Sequence, residues 1–474
     1  MELKIGKKDL IWGYFAQFFS IASGILILPI ILKLLSPEEV GLNYIMLTIG
    51  TFVTLFDFGF APQFGRNITY IFSGSQNLLK EGIMQNTERL DVNYKLLFVM
   101  IQSAKFLYKR LSFIILVLLL TLGTLYIYKI TNGFTSVKNS LFIWVIYCVS
   151  IYFNMYYAYY SSLLNGKGLV TEYRKSLVYS KFFYTVIALI LLFCKVGLLS
   201  VVIANLITPF IVKYFSHKFF FTKELNDKLK GYESSKEEKL ELIKIIWHNA
   251  KKLGLVYLGS FAITKIGMFI SGLFLSLENI ASYGLMIQLV SLIAIVSTTI
   301  STLYQPRIAS LRILNSTKEL LNDFSYTVVV FKFLFILGSI VFILLGNYML
   351  QSIGSSTVLP SGTILTIYCI VVFLETNHSL FSSFLVTNNE IPFVKATLIA
   401  GVLISILTYL FLKFTDLGLL SLVLVPLFVQ LAYNNWKWPF VVCDFFQISY
   451  LKFNSIGFAN MKNNINKVLR KNEN

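Results

Sequence analysis

Charge is scarce in this sequence. Asp, Glu, Lys and Arg make up 14% of its 474 residues, hydrophobic residues reach 56%, and the mean hydropathy is +0.72. An ordinary soluble domain carries about 25% charge. The balance excludes a water-soluble globule, a disordered chain and a collagen-like repeat. Histidine is scarce at three residues, so a metal centre built on imidazoles is not expected. The four cysteines, Cys148, Cys194, Cys369 and Cys443, sit in apolar surroundings without metal-ligand spacing and suggest no disulfide framework. A P-loop, a Gly-x-Ser-x-Gly nucleophile motif and a carboxylate pair in a water-exposed domain are all missing. The chain is therefore not read as an enzyme, and ATP hydrolysis by it is not expected.

What is abundant is uninterrupted apolar length. A membrane-spanning helix needs about 20 mostly apolar residues, and twelve stretches qualify, near 11–35, 40–61, 111–129, 141–164, 176–194, 197–217, 253–275, 281–304, 324–346, 362–386, 392–412 and 417–435. The two-residue alternation of a membrane barrel is absent, so the spans are read as helices and the chain as an all-α, polytopic membrane protein. The first stretch is too long for a cleaved signal peptide, holds Pro29 and is followed by no small-residue cleavage site before the next span.

Basic residues orient the chain. If the N-terminus is cytoplasmic and every span crosses, 33 of the 41 Lys+Arg fall on the cytoplasmic side, five on the other side and three within spans. That bias predicts both termini inside. It also accounts for the formal charge of +18 as loop charge beside anionic lipid headgroups, with no need for nucleic acid. Outside connections are short, which argues against an external catalytic domain such as a polysaccharide polymerase would carry.

The halves read as a duplication. Leu34 to Met46 aligns with Phe274 to Met286 at an offset of 240, placing a Ser-x-x-Glu turn over a Ser-x-x-Asn turn. The second span of each half is expected to end at Pro plus Arg, Pro62 with Arg66 and Pro306 with Arg307. The expected organisation is a first six-helix bundle (1–217), a cytoplasmic linker (218–252), a second six-helix bundle (253–435) and an interfacial tail (436–474), with the parallel repeats related by an axis along the membrane normal. Pro29, Pro209 and Pro426, inside spans, are kinks or hinges.

Charges inside spans carry the chemistry, because a charge at mid-bilayer costs at least about 2.5–3.5 kcal/mol and generally faces a cavity or a partner. Lys265 lies near the middle of its span, too deep to snorkel easily. Lys332 lies in the cytoplasmic half of its span and either snorkels or faces a cavity, and Lys181 is read as snorkelling. Glu375, on a stripe with Tyr368, His378, Ser379 and Ser382, makes an i, i+3 pair with His378 that suits either a proton relay or a buried structural pair. Asp57 shares a stripe with Asn43, Gly50, Thr54 and Ala61. It either pairs with Arg66 near the interface or serves coupling.

Asp57-Phe58-Gly59-Phe60-Ala61-Pro62 followed by Arg66 resembles the end of the second span in Wzx-type O-antigen flippases. Leu275 to Tyr283 resembles their turn between the seventh and eighth spans, and Gln305-Pro306-Arg307 the end of the eighth. The span count and central linker are similar to those of the multidrug/oligosaccharidyl-lipid/polysaccharide (MOP) exporter superfamily. Relatives often bear an acidic residue near the start of span seven, whereas the charge this chain offers in that span is Lys265. The resemblance implies a MATE-like pair of six-helix bundles in a bacterial inner membrane, with an undecaprenyl-diphosphate-linked oligosaccharide as substrate. Lys265 and Lys332 would meet the diphosphate and sugars, with Arg66 and Arg307 at the cytoplasmic mouth. Glu375, His378 and Asp57 would couple transport to H+ or Na+. No other cofactor and no metal is implied; partners would be membrane lipids and a polysaccharide polymerase with its chain-length proteins. A cation-coupled multidrug antiporter of the same superfamily, a peptidoglycan-precursor flippase and a membrane polymerase are the alternatives.

Overall fold

The computed structural model describes residues 7–78, 91–314, 316–387 and 392–472, and among these every regular element is helical. Two compact units, Met1–Leu258 and Gly259–Asn474, divide the chain.

The first unit runs through α1 (Lys7–Leu34), α2 (Pro37–Thr54), a 3-10 turn (Leu55–Asp57), α3 (Phe60–Phe72), α4 (Tyr94–Leu118), a π-turn (Leu119–Gly123), α5 (Thr124–Ile130), α6 (Ser140–Tyr156), α7 (Tyr159–Gly166), α8 (Val170–Phe193), α9 (Leu199–Phe220) and α10 (Lys223–Leu229) into α11 (Lys236–Thr264). The second unit takes the end of α11 and then α12 (Ile266–Ser271), α13 (Leu277–Ile313), α14 (Thr317–Ser352), α15 (Gly362–Val386), α16 (Val394–Phe414), α17 (Leu419–Ala432), α18 (Asn434–Phe445) and α19 (Tyr450–Asn472).

Among the described residues, eleven helical segments are long and apolar enough to cross a membrane, six in the first unit and five in the second. The remaining expected span, 253–275, is interrupted. Lys265 leaves the helical register at φ −127° and ψ −21°, separating α11 from the six-residue α12. Pro29, Pro209 and Pro426 lie inside helices.

The two aligned turns, one in each unit, both begin their helix on a serine cap. Ser36 caps α2, its hydroxyl accepting from the Glu39 N–H while Glu39 Oε2 accepts from the Ser36 N–H. Ser276 caps α13 by accepting from the Asn279 N–H. A serine oxygen thus satisfies a free first-turn amide in each case.

The second-span ends differ from expectation. Pro306 does not end its helix; α13 runs unbroken to Ile313. A helix-interior proline removes one hydrogen bond and bends the helix. Burial of Ile308 and Leu311 against Phe324, Phe381 and Phe384 holds the continuation in place. Pro62 likewise sits inside α3. The second span breaks earlier, where Phe58 and Gly59 take left-handed backbone at φ 44° and 77°.

The stretch 62–110, left between the second and third expected spans, holds most of α3 and the first turns of α4. Lys95, Lys105, Lys109 and Arg110 mask α4 in a hydropathy count, yet Leu97, Met100, Ile101, Ala104 and Tyr108 form one buried face. Residues 218–252 contain α10 and the first half of α11. In the tail, Trp438, Val442, Cys443, Phe446 and Phe453 are buried in the core of the second unit.

Candidate functional site

In the first unit the break after α2 places a carboxylate. The left-handed pair Phe58-Gly59 turns the chain so that α3 starts with its free N–H groups beside Asp57. Asp57 Oδ2 accepts from the Ala61 N–H at 3.2 Å, as an anion at a helix start does. Its other oxygen accepts from the hydroxyl of Tyr108, which is fully buried on α4. Trp247 of α11 braces the corner, its ring centroid 5.5 Å from Phe60 and 5.9 Å from Phe58.

Asp57 lines a cavity of about 550 Å³ with Gly50, Thr54, Ala61, Tyr147 and Asn154. Four members of the expected stripe therefore face one space: Gly50, Thr54, Asp57 and Ala61. Gly50 is required there. A Cβ at this position would lie 2.6 Å from the Tyr147 hydroxyl, which donates to the Met46 carbonyl.

Arg66 does not pair with Asp57. Exposed on the next turns of α3, it lines a second cavity of about 450 Å³ with Thr69, Ser161, Ser162, Asn165 and Tyr173. This cleft exists because α3 and α7 approach closely. A Cβ at Gly166 would stand 2.7 Å from the Gly65 carbonyl oxygen. Across the contact Thr69 donates to the Gly166 carbonyl at 2.9 Å and Ser162 to the Ala61 carbonyl at 2.8 Å. Small residues that let backbones meet, with hydroxyls bonding across, are the usual device of membrane helix packing.

The second unit holds a longer polar chain. Gln430 donates to Glu375 Oε2 at 2.7 Å, Asn434 to Gln430 Oε1 at 2.6 Å, and the Trp438 indole to Asn434 Oδ1 at 3.1 Å. Glu375 and His378 meet as expected, with Nδ1 3.6 Å from Oε2, longer than a hydrogen bond. Lys332 donates to the Tyr450 hydroxyl at 2.7 Å and to Asn454 Oδ1 at 2.6 Å, both on α19. Tyr450 also contacts Asn377 Oδ1 at 3.4 Å.

Lys265 is different. It is partly buried at the break between α11 and α12, and among the described residues its ammonium makes no hydrogen bond or ion pair. Arg307 is exposed and donates from Nε to Asp323 at 2.6 Å. Among the described residues no group of three or more His, Cys, Asp or Glu could hold a metal.

No family model matches the chain, and no curated protein matches it. Solved structures do. One is an inward-facing multidrug resistance MATE family transporter of the MOP superfamily, with a TM-score of 0.61 at 10% identity over 93% of this chain and 95% of that one. A second is the lipid II flippase MurJ in an inward closed conformation, with a TM-score of 0.60 at 14% identity over 98% and 99%. An outward-facing MATE transporter of the same superfamily follows at a TM-score of 0.55 and 12% identity over 94% of each chain. The chain shares the fold of these MATE and MurJ structures.

Within this MATE- and MurJ-like fold, sequence reasoning missed Tyr108, Gln430, Asn434, Tyr450 and Asn454. Gln430, Asn434 and Trp438 follow at i, i+4 spacing, a polar stripe crossing the expected boundary between the last span and the tail. Tyr108 carried no signal beyond an apolar helix face. At the basic end of the first unit a cavity of about 850 Å³ is lined by Asp91, Tyr94, Lys167, Glu224 and Lys228. Two of its charges are paired. Lys228 donates to Glu224 at 2.6 Å and holds that carboxyl below its usual range.

Proposed function

We propose that the chain is a flippase for an undecaprenyl-diphosphate-linked oligosaccharide, moving an O-antigen-type repeat unit from the inner to the outer leaflet of a bacterial inner membrane. The observation that carries this reading is Lys265: a cation at the centre of an expected span, at a break in its helix, with no counter-charge among the described residues. An ammonium so placed gains most from an anion that arrives and leaves, and a diphosphate is such an anion. Opposite charges on a cargo would need carboxylates there instead.

Arg66, in a cleft lined by hydroxyls and amides, would receive the headgroup, since these groups suit phosphate and sugar together. Arg307 would act at the cytoplasmic mouth. Lys332 keeps one N–H beyond its two bonds to α19 and would contribute through it. Glu375 with Gln430 and His378, and Asp57 with Tyr108, would carry H+ or Na+ coupling while the two bundles alternate access. A polymerase and its chain-length proteins would take the cargo outside.

A deletion strain tests the reading. It should strand lipid-linked repeat units on the inner leaflet and lose its surface glycan while remaining viable. Lys265→Arg should restore the glycan and Lys265→Ala should not. Lethality on deletion would point to a peptidoglycan precursor as cargo. One observation favours a cation-exporting antiporter instead: Asp57 lines a mostly apolar cavity. That reading predicts that Asp57→Asn lowers drug tolerance and leaves the glycan intact.

A further inference from the structure

Three chain turns meet at one end of the first unit, joining α1 to α2, α5 to α6, and α8 to α9. Together they enclose a cavity of about 580 Å³ lined by Lys33, Ser36, Glu39, Lys138, Asn139 and Lys195, among others. Its size falls within the roughly 300–1,000 Å³ of small-molecule sites.

Its charge is unbalanced. The lone carboxylate, Glu39, is occupied by backbone: Oε1 accepts from the Leu198 N–H at 2.9 Å and Oε2 from the Ser36 N–H at 3.0 Å. Among the described residues none of the three ammoniums forms an ion pair. The Asn139 side chain leaves α6 uncapped, so its amide is not spent on the helix start. The beginnings of α2, α6 and α9 all border the space and add positive potential.

The lysines are also out of place for this kind of chain. The charge count puts five of the 41 Lys+Arg on the non-cytoplasmic side, and three of those five line this one cavity. Chance scatter along lipid-facing loops does not bring three turns' lysines to one concavity. The backbone is set to hold them. Lys195 and Asn139 sit in left-handed conformation at φ 58° and 57°, which asparagine tolerates but which costs a lysine about 1–2 kcal/mol. Gly197, at φ 70°, is the residue type its position needs, since a Cβ would stand 2.6 Å from Glu39 Oε1.

We propose that this cavity binds a phosphoryl anion. A phosphoryl group brings up to two negative charges and three acceptor oxygens, matching three flexible ammoniums. A free phosphate and the phosphate of a lipid headgroup share this chemistry. The proposal does not depend on what the chain carries.

Calorimetric titration of the purified protein in detergent, at constant ionic strength, tests it with inorganic phosphate and with a short-chain phosphatidate as separate probes. Wild type should bind at least one probe saturably. Replacing Lys33, Lys138 and Lys195 together by Gln should weaken that binding at least about tenfold, as expected when charge-assisted hydrogen bonds are removed. Lys138→Gln and Lys195→Gln alone, measured beside the triple variant, should each weaken it, and they decide the matter if the triple variant does not fold. Binding of inorganic phosphate identifies a free anion as the ligand; binding of phosphatidate alone identifies a headgroup. Saturation by neither probe, or equal binding by wild type and the lysine variants, overturns the proposal.

Discussion

Tyr108, buried on α4, donates its hydroxyl to Asp57 at the corner where α2 gives way to α3, joining groups 51 positions apart. The carboxylate thereby does two things at once, capping α3 through the Ala61 N–H and facing the cavity beside Gly50 and Thr54. Tyr108→Phe leaves one oxygen of Asp57 without its donor and should destabilise the protein by about 1–3 kcal/mol. Thermal unfolding in detergent measures this. A midpoint equal to wild type would contradict the assigned bond.

Close helix contact should be as sensitive. A Cβ added at Gly166 would meet the Gly65 carbonyl oxygen and Ile68 at 2.7 Å. Gly166→Ala should therefore push α7 off α3 at about 1–3 kcal/mol and open the cleft that holds Arg66. Gly24 has nothing within 4 Å of a built Cβ and sits inside α1. Gly24→Ala should be neutral or stabilising by about 0.5–1 kcal/mol. Unfolding midpoints ordered the other way would refute the packing argument.

Lys332 ties α14 to α19 through Tyr450 and Asn454. Lys332→Met keeps the apolar stem and loses both bonds, each worth about 1.5–3 kcal/mol when one partner is charged. The expected result is faster proteolytic cleavage within α19. Cleavage rates that match wild type would show the tail to be held by Phe453 and its neighbours alone.

Glu375, Gln430 and Asn434 form a continuous chain, so Glu375→Gln and Gln430→Leu should act alike if the chain serves coupling. Both should remove the dependence of transport on an imposed proton or sodium gradient while downhill exchange persists. Flux measured in vesicles with and without each gradient decides, and gradient dependence retained in both variants would make the network structural.

Much of this was legible in local sequence. Span lengths and the Gly50–Thr54–Asp57–Ala61 stripe follow from apolar length and helical periodicity. So does the meeting of Glu375 with His378, one turn apart. What could not be read are partners chosen by tertiary packing: Tyr108 for Asp57, Gln430 for Glu375 at 55 positions, and Asn454 for Lys332 at 122. The break at Lys265 carries no proline or glycine at the residue itself to announce it. Lys33, Lys138 and Lys195 lie in separate turns and come to one cavity only in the fold.

Reconstitution gives the most direct test of the transport account. Purified protein in proteoliposomes should move a fluorescent polyprenyl-diphosphate-linked oligosaccharide between leaflets, and Lys265→Ala should abolish that movement while Lys265→Arg retains it. Unchanged movement in Lys265→Ala, or movement of cationic drugs with none of the lipid-linked glycan, would contradict the account.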